Sequence, residues 1–351
     1  MQRRKTRKVY YGNVAVGGDA PISVQSMTNT KTADLESTVA QIDELVAVGC
    51  EIIRVAVPDM ESAKKLARLK KRISIPLIAD IHFDYRLALE AINQGVDGLR
   101  INPGNIGNQD RVKEVATAAK EAGIPIRIGV NSGSIERDLL KKYGRPTAGA
   151  MVESALKHIR LLEENGFFDI VVSLKSTDLW MTLNAYSLLA ERVDYPFHIG
   201  ITEAGTPWSG TIKSAIGIGS LLIRGLGDTI RVSLTGDPVE EVRVGWQILK
   251  SLKLRQRGPE IISCPTCGRT EIDLVNLAKK VERAVSGMDK QITIAVMGCG
   301  VNGPGEAREA DIGIAGGKGM GLIFKKGKLV KRVSEEKLLD ALLSEIDKYK
   351  E

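Results

Sequence analysis

The sequence predicts an α/β protein in which a (β/α)8 barrel is followed by a smaller α+β domain. Three observations support this fold class. From residue 22 onward, short apolar runs alternate with amphipathic stretches of helical length. Eight such strand–helix units occupy about 250 residues, which matches the usual size of a (β/α)8 barrel. Beyond residues 255–260 the alternation stops, and three of the four cysteines follow that point.

The predicted strands are short, rich in β-branched residues and almost continuously apolar, as is typical of parallel strands buried on both faces. They cover residues 24–28, 51–57, 76–82, 98–102, 125–131, 169–175, 197–202 and 229–234. The helices predicted between them cover residues 34–48, 60–71, 84–94, 108–122, 149–165, 178–191, 211–223 and 238–252. Asp34 and Asp59 stand where N-caps are expected, and glycines such as Gly49 and Gly95 follow the last helical turns.

An open doubly wound sheet would also alternate strands and helices. Such a sheet binds its ligand through a Gly-rich turn after the first strand, but here that strand ends in Ser26-Met27-Thr28-Asn29. We therefore favour the barrel. The segment 9–16, with a turn at Gly12-Asn13, predicts a short hairpin that closes the bottom of this barrel.

We predict that residues 1–257 form the barrel domain and residues 258–351 the second domain. The second domain contains predicted strands at 261–263, 291–297 and 311–315, a hairpin at 320–332, and helices at 271–286 and 334–349. Because strands and helices no longer alternate regularly there, the expected arrangement is a compact α+β unit.

The composition is that of a globular protein with a basic balance. Hydrophobic residues make up 43%, charged residues 26%, and the formal net charge is +7. The sequence contains no run of eighteen apolar residues, so it predicts no membrane span. The basic N-terminus is not followed by the apolar segment that a secretory signal would have. We therefore expect a cytoplasmic protein without a membrane partner. Positive charge suits nucleic acid or small anions, so its distribution must decide between them.

Five of the eight predicted strands carry one cation inside an otherwise apolar run. These residues are Arg54, Arg100, Arg127, Lys175 and Arg231. The carboxyl ends of barrel strands form the active face, so these side chains are expected at one mouth, where the strand carboxylates are chiefly Asp80 and Glu203. Burying unpaired cations is costly. A diphosphate would remove that cost, because arginine and lysine suit phosphate oxygens.

Polar residues accompany the cations at the predicted mouth. They are Asp80, His82, Asn102, Asn131, Ser173, His198, Thr202, Glu203 and Ser233. Glu203, which follows the seventh strand, is the best candidate for acid–base catalysis, because nearby cations and partial burial would tune it. A structural role as the partner of Arg231 is the alternative. The roles of Asp80, His82 and His198 stay open.

The second domain contains two cysteine loops. Cys264 and Cys267 form a Cys-Pro-Thr-Cys turn, and Cys299 lies in a Gly-rich loop after the next helix and strand. A zinc ribbon would usually add a second close pair of Cys or His ligands, and thioredoxin-type chemistry would leave Cys299 without a role. An iron–sulfur cluster is therefore favoured, with Glu306 as the candidate carboxylate for the iron that lacks a thiolate. Cys50 is expected to be a buried apolar residue.

Five short motifs are the most specific features of the chain. Two are Ser-Cys-Pro-Thr-Cys-Gly-Arg at 263–269 and Met-Gly-Cys-Gly-Val-Asn-Gly-Pro-Gly-Glu at 297–306. The others are Ser-Met-Thr-Asn-Thr at 26–30, Arg-Ile-Asn-Pro-Gly-Asn at 100–105 and Arg-Ile-Gly-Val-Asn at 127–131. With these motifs the chain, from about residue 5 to its C-terminus, closely resembles the family of bacterial 4-hydroxy-3-methylbut-2-en-1-yl diphosphate synthases.

The resemblance implies a TIM barrel joined to a sulfite-reductase-like domain that holds a 4Fe–4S cluster. The implied activity is reductive ring opening and dehydration of 2-C-methyl-D-erythritol 2,4-cyclodiphosphate in the non-mevalonate isoprenoid pathway, with two electrons from reduced flavodoxin or ferredoxin. The implied cluster ligands are Cys264, Cys267, Cys299 and Glu306. The residues implied for diphosphate binding are Arg54, Arg100, Arg127, Asn131, Lys175, Arg231 and Ser233.

The resemblance also implies that Glu203 is the acid–base residue. It further implies a homodimer in which the cluster domain of one subunit closes over the barrel of the other.

Two alternatives come from other functional classes. A zinc-ribbon protein that binds nucleic acid would explain the basic charge and the cysteine turn. However, the strand cations are spaced for a pocket, and aromatic residues for base stacking make up only 4%. A non-redox barrel synthase with a phosphate substrate would explain the mouth, and its activity would need no electron donor.

Overall fold

The computed structural model describes residues 2–102, 109–300, 305 and 308–349. The chain divides into two compact units, Met1–Arg255 and Gln256–Glu351. Each unit has its own buried apolar clusters. The boundary expected after residue 257 lies just inside the second of these units.

A parallel barrel forms most of the first unit. After the hairpin of β1 (Lys8–Tyr11) and β2 (Val14–Gly17), the barrel strands are β3 (Ser23–Met27), β4 (Ile52–Ala56), β5 (Leu77–Asp80), β6 (Gly98–Ile101), β7 (Ile126–Asn131), β8 (Ile170–Lys175), β9 (His198–Ile199) and β10 (Thr229–Ile230). Around the sheet they follow the order β8-β7-β6-β5-β4-β3-β10-β9. A parallel bridge between Val172 and Phe197 joins β8 to the start of β9 and closes the barrel.

Helices surround the barrel. They are α1 (Leu35–Ala47), α2 (Met60–Lys64), α3 (Leu66–Lys70), α4 (Tyr85–Asn93), α5 (Gln109–Glu121), α6 (Arg137–Tyr143), α7 (Ala148–Glu164), α8 (Leu179–Ala190), α9 (Pro207–Ile223) and α10 (Pro238–Ser251). Two predicted N-caps are confirmed, because the side chains of Asp34 and Asp59 accept hydrogen bonds from backbone N–H groups of the first turn. Within the described residues, no helix combines the length and apolar character that crossing a membrane requires.

Several predicted elements differ in detail from the observed ones. The helix predicted over 60–71 is interrupted at Lys65, whose backbone N–H bonds to carbonyl groups only two and three residues earlier. The helix α6 has no predicted counterpart, although Gly144 ends it with a φ of 74°. The strands β9 and β10 are shorter than predicted. Beyond them the two backbones approach each other at Gly200, where a β-carbon would lie 2.3 Å from the Arg231 carbonyl oxygen.

The N-terminal hairpin closes the bottom of the barrel, as predicted. One buried apolar cluster joins the hairpin to three barrel strands and consists of Val9, Tyr11, Val16, Ile52, Ile78 and Val171. The Tyr11 ring fills the space above Gly98, where a β-carbon would lie 2.4 Å from ring atom Cε1. The mouth at the carboxyl ends of the strands is therefore the end that stays open to a ligand.

The second unit is built on a mixed sheet. Its strands in spatial order are β11 (Glu260–Ser263), β12 (Thr293–Met297), β13 (Ile312–Gly317), β14 (Met320–Lys325) and β15 (Lys328–Ser334). The first three are parallel to one another, and the last two are antiparallel to their neighbours. The described part of the unit also contains the helices α11 (Leu274–Val285) and α12 (Leu338–Asp347). The predicted fold class, a (β/α)8 barrel followed by a smaller α+β domain, is confirmed.

Candidate active site

Five cations meet at the carboxyl ends of the barrel strands. Four of them, Arg54, Arg100, Arg127 and Lys175, belong to β4, β6, β7 and β8, and Arg231 directly follows β10. Arg127 is 1% exposed and Lys175 is 8% exposed. Burial lowers the pKa of Lys175 well below its usual value, and the charges of all four arginines add to this effect. The structure therefore brings together the cations that the sequence predicts at one mouth.

Asp80, the last residue of β5, neutralises part of this charge. Its Oδ2 atom lies 3.5 Å from Arg54 Nε, and its Oδ1 atom lies 3.2 Å from Arg100 Nη1. His82 Nε2 lies 3.7 Å from Oδ2. Burial alone would raise the pKa of Asp80, but Arg54, His82 and Arg100 hold it well below its usual value. Asp80 is therefore an ionised carboxylate that orients two of the cations.

Arg127 is the most deeply buried of the five cations. Its Nη1 atom donates a hydrogen bond to Gln25 Oε1 on β3. Its Nη2 atom is buried and has no hydrogen-bond partner among the described residues. Burial lowers the pKa of Arg127 to about 10, although Tyr11 and Asp80 act in the opposite direction. A buried guanidinium nitrogen without an acceptor is costly, so this side chain is prepared for an anionic ligand.

Lys175 faces a buried histidine rather than a carboxylate. Its Nζ atom lies 3.5 Å from His198 Nε2, and His198 Nδ1 lies 3.4 Å from Thr229 Oγ1. Burial lowers the pKa of His198 well below its usual value, and the surrounding cations lower it further. The imidazole is therefore neutral, and its Nε2 atom can accept a hydrogen bond from the Lys175 ammonium group. This contact places the imidazole directly beside the Lys175 side chain.

Two glycines make room for these side chains. A β-carbon at Gly129 would lie 2.5 Å from Arg100 Nε. A β-carbon at Gly200 would lie 2.9 Å from Lys175 Nζ. Because a β-carbon does not come within 3.0 Å of a neighbouring heavy atom, a side chain at either position would displace a cation of the site.

Arg231 is held by Glu241, a residue that is not among the predicted members of the site. Arg231 Nη2 donates to Glu241 Oε2 at 3.2 Å, and the backbone N–H of Leu234 donates to Oε1 at 2.9 Å. Glu241 is 5% exposed. The sequence does offer one indication that Glu241 is buried. It lies on α10 between the buried residues Pro238 and Val242, where helical periodicity predicts an inward-facing side chain. The alternative that pairs Glu203 with Arg231 is therefore wrong.

Three further predicted residues stand around this cluster. Glu203 lies in the loop after β9 and is exposed, so the expected partial burial is wrong. Its φ of 50° falls in the left-handed region, which is unusual for a residue other than glycine. Asn131 ends β7 and pairs in register with Lys175, and both Asn131 and Ser233 are half-buried.

The three cysteines of the second unit stand at one end of its sheet. Cys264 follows β11 and Cys299 follows the parallel neighbour β12. The backbone N–H of Gly298 donates a hydrogen bond to Cys264 Sγ at 3.3 Å. Cys267 is exposed, and hydrogen bonds from the backbone and then the side chain of Arg269 lower its pKa.

The chemistry of these donors fits an iron–sulfur cluster. A lowered thiol pKa favours the thiolate that binds iron, and N–H···S bonds tune cluster ligands. As the described side chains stand, no three Cys, His, Asp or Glu residues lie close enough together to hold a metal ion. The predicted fourth ligand, Glu306, lies outside the described residues. Cys50 is buried, and burial raises its pKa to about 12, which agrees with the expected apolar role.

Comparison with known proteins reveals full-length relatives. The GcpE TIM-barrel domain matches residues 6–246, and the GcpE protein C-terminal domain matches residues 260–348. The chain is 61% identical over 346 residues to the 4-hydroxy-3-methylbut-2-en-1-yl diphosphate synthase (flavodoxin) of Geobacter sulfurreducens, which covers 99% of this chain and 98% of that protein. It is 62% identical over 346 residues to the protein of the same name from Caldanaerobacter subterraneus subsp. tengcongensis, with the same coverage.

A solved structure resembles the barrel. The 3-dehydroquinate dehydratase of Geobacillus kaustophilus superimposes with a TM-score of 0.50 at 14% sequence identity, and the match covers 71% of this chain and 99% of that one. At this identity the likeness supports the fold alone. The two matching family domains and the full-length relatives lead to a single conclusion, which is that the chain belongs to the GcpE family.

Proposed function

We propose that the chain is a 4-hydroxy-3-methylbut-2-en-1-yl diphosphate synthase that reductively opens and dehydrates 2-C-methyl-D-erythritol 2,4-cyclodiphosphate. The name of its full-length relatives supports this reaction. The structural observation that carries the proposal is the unsatisfied positive charge in the barrel mouth. Among the described residues, the buried nitrogens Arg127 Nη2 and Arg231 Nε have no hydrogen-bond partner. The oxygens of a diphosphate would satisfy both.

The proposed diphosphate site combines the five cations with two neutral neighbours. Its members are Arg54, Arg100, Arg127, Asn131, Lys175, Arg231 and Ser233. Hydrogen bonds between ionised groups and phosphate oxygens are about twice as strong as neutral ones. The anchored diphosphate would hold the carbon skeleton at the mouth, where a reacting group can reach it.

The reaction makes the diphosphate more negative, and this change explains why the site has more cations than carboxylates. The substrate takes up two electrons and one proton and releases one water molecule, so the product carries one more negative charge than the substrate. The C–O bond to one ring phosphate breaks, and its oxygen becomes an additional anionic phosphate oxygen. Cations that surround this oxygen stabilise the charge as it develops, and such differential stabilisation accelerates the step.

The electrons require a redox group, and we assign a 4Fe–4S cluster held by Cys264, Cys267, Cys299 and Glu306. Such a cluster supplies electrons one at a time, and an iron without a thiolate supplies a Lewis acid for a substrate oxygen. The position of the cysteines at one sheet end and the Gly298 hydrogen bond to Cys264 support this assignment.

We assign proton transfer to Glu203. Its carboxylate belongs to the loop that follows β9, on the side of the barrel where the cations lie. A non-glycine residue in the left-handed region costs of the order of 1–3 kcal/mol and persists only where the surrounding structure holds it. The φ of 50° at Glu203 is therefore evidence that its placement serves the reaction. Glu203 would donate the proton with which the hydroxyl group leaves as water.

The proposal includes flavodoxin, or alternatively ferredoxin, as electron donor, since the name of the relatives specifies flavodoxin. It also includes a cytoplasmic homodimer. Exposed apolar side chains on one face of α9 support a contact with a second subunit: Trp208 is 81%, Ile212 46% and Ile216 52% exposed. Sedimentation velocity tests the dimer, and a monomer at micromolar concentration would contradict it.

Replacement of Arg127 by methionine tests the diphosphate site while keeping most of the side-chain volume. Charge-assisted hydrogen bonds contribute about 1.5–3 kcal/mol, so KM for the cyclodiphosphate should rise about 10- to 150-fold. Anaerobic turnover with a chemical reductant measures KM, and the absorption spectrum should stay unchanged. Arg160→Met, on the exposed face of α7, is the matched control and should behave as the native protein.

Metal analysis separates the proposal from its two alternatives. Anaerobically purified protein should contain iron and acid-labile sulfide in equal amounts. Zinc in their place would favour the zinc-ribbon alternative. Turnover that continues without any reductant would favour a non-redox synthase.

A further inference from the structure

A basic hairpin in the second unit has no place in the reaction described above. Its eight residues, 325–332, include five cations and no carboxylate. Lys325 pairs with Glu345 on α12 at 2.6 Å. The remaining four cations, which we call the basic edge, are Lys326, Lys328, Lys331 and Arg332. All four are exposed and form no ion pair within the part of the chain that the structure describes.

Three cations of the basic edge, Lys328, Lys331 and Arg332, lie on the last strand of the sheet that carries the cysteines, and Lys326 lies in the turn before it. In the order β11-β12-β13-β14-β15, the strand β15 pairs with β14 alone among the residues that the structure describes. The cysteine loops follow β11 and β12 at the other side of the same sheet. A molecule that docks on β15 therefore contacts the same rigid element from which the cysteines project.

The strand register connects the two sides directly. Met297 pairs with Ala315, Ala315 pairs with Leu322, and Leu322 pairs with Arg332. Cys299 follows Met297 by two positions. Three inter-strand spacings of about 4.8 Å place the backbone of Arg332 roughly 14 Å from that of Met297. The Arg332 end of the basic edge is thus one short sheet width from the start of the Cys299 loop.

Apolar side chains are exposed among these cations. Leu329 is 53% exposed, Val330 is 47% exposed, and Met320 on the adjoining strand is 49% exposed. Small interfaces between redox proteins combine a limited apolar contact with charged residues that steer the partner. Glu335 and Glu336 follow the strand, with Lys337 after them, so the positive charge is concentrated on β15 itself.

Lysine on an edge strand also has a simpler explanation. Edge strands commonly carry charge because it prevents them from pairing with another chain. That explanation accounts for Lys328 and Lys331. It does not account for Leu329 and Val330, whose exposure would weaken such protection.

We propose that the basic edge, together with Leu329 and Val330, is the docking surface for an acidic one-electron carrier protein that reduces this unit. This proposal rests on the proposed function, because it requires a redox group at the cysteines. The carrier presents carboxylates to the four cations and an apolar patch around its own cofactor to the two exposed side chains. Its electrons then enter along the sheet from β15.

Charge reversal on the full-length chain tests this surface. The variant carries Lys328→Glu, Lys331→Glu and Arg332→Glu. The matched control carries Lys279→Glu, Lys280→Glu and Arg283→Glu on the exposed face of α11, so the net charge changes equally. Electrostatic steering contributes about 10- to 1,000-fold to association rates. At low ionic strength we therefore expect the variant to lose at least about tenfold in affinity for oxidised flavodoxin and in flavodoxin-dependent kcat/KM.

Two further readouts distinguish docking from catalysis. Turnover with dithionite and methyl viologen should be unchanged in the variant, and the difference from native protein should shrink in high salt. If the variant binds flavodoxin as tightly as native protein, or if the control weakens binding equally, the docking proposal is wrong. If native protein binds flavodoxin at the basic edge but reduces no cyclodiphosphate with either donor, the docking surface stands and the proposed reaction fails. Glutamine at the three positions provides a milder variant with the same expected direction.

Discussion

At the scale of single residues, the site depends on how a few charged groups orient one another. Asp80 contacts Arg54 and Arg100, whereas Glu241 holds Arg231. Lys175 faces a neutral imidazole at 3.5 Å. Each carboxylate fixes one side of a guanidinium group and leaves its other nitrogens for a ligand. Residues that never touch the substrate should therefore still control its affinity.

Glu241→Gln tests this form of control. The amide keeps the shape of the side chain but weakens the hydrogen bond to Arg231, because the acceptor is no longer charged. We expect KM for the cyclodiphosphate to rise about tenfold, which corresponds to about 1.4 kcal/mol, with kcat nearly unchanged. Steady-state kinetics give both constants. Glu240→Gln, one residue earlier on α10, is the control, and an equal effect there would contradict the positioning role of Glu241.

Substrate binding should be coupled to proton uptake by Lys175. Burial and the four arginines lower the pKa of Lys175 in the free protein well below 10.5. A bound diphosphate supplies negative charge and raises that pKa again. Protons are therefore taken up on binding, and affinity falls as pH rises through the pKa of the free protein. Calorimetry in two buffers that differ in ionisation enthalpy measures this uptake. Equal binding enthalpies in the two buffers would contradict it, and Lys175→Met should abolish the uptake.

Part of this residue-level arrangement could be predicted from the sequence. A cation inside an apolar strand is easily recognised in the sequence. The alternation of side chains along the strand predicts that the cation is buried, and a buried charge requires a partner. Glu241 could not be identified in the same way, because it lies on the helix that follows β10, and the helical pattern shows that it is buried but not that it meets Arg231. Gln25 is a neutral strand residue, and only the structure shows its hydrogen bond with Arg127.

At the scale of secondary-structure elements, the hairpin of β1 and β2 shapes the barrel from below. Tyr11 packs into the cluster that joins this hairpin to the barrel strands. Its Oη atom is buried without a hydrogen-bond partner among the described residues. The ring therefore stabilises the barrel through packing, and it fills the bottom of the barrel beneath Arg127 and the other cations.

Tyr11→Ala should destabilise the barrel by about 3–5 kcal/mol, because it leaves a cavity at a position that is only 1% exposed. Tyr10→Ala is the control, since Tyr10 is 55% exposed. Urea unfolding followed by tryptophan fluorescence measures the difference. All three tryptophans, Trp180, Trp208 and Trp246, belong to the first unit and report on it alone. Equal unfolding midpoints for the two variants would show that the hairpin is dispensable.

Element types could be predicted more reliably than element ends. Hydrophobic periodicity identifies each barrel strand and most helices, because burial on both faces or on one stripe leaves a regular pattern. The interruption at Lys65 and the short strands β9 and β10 arise from backbone contacts that no local pattern records. The helix α6 is too short for its periodicity to stand out, although Gly144 and Pro146 mark its end.

At the scale of the whole molecule, the chain combines two units with separate cores. The apolar clusters of the barrel and those of the second unit contain different residues. The diphosphate candidates belong to the first unit and the cysteines to the second. Anion binding and redox chemistry should therefore be separable by substitution.

Cys267→Ser tests this separation. The variant should lose its brown colour and its turnover together, because a serine hydroxyl does not replace a thiolate on iron. Binding of the cyclodiphosphate, measured by calorimetry, should stay within about threefold of native protein, a difference well below 1 kcal/mol. Cys50→Ala, at a buried thiol in the barrel, is the control and should keep both colour and activity. A colourless variant with full activity would contradict the proposed chemistry.

Neighbouring strands of the barrel differ in how many residue pairs join them, and this affects how easily the barrel can change its shape. Between β7 and β8 six residue pairs are in register, whereas β9 and β10 share two pairs and a single bridge at Val172 joins β8 to the next segment. Fewer registered residue pairs therefore join the strands of that arc than join β7 to β8. Lys175 ends β8 and Arg231 follows β10, so both residues border this arc. We therefore expect this arc, rather than the strands that carry Arg54 and Arg100, to adjust when a cyclic ligand opens into a chain.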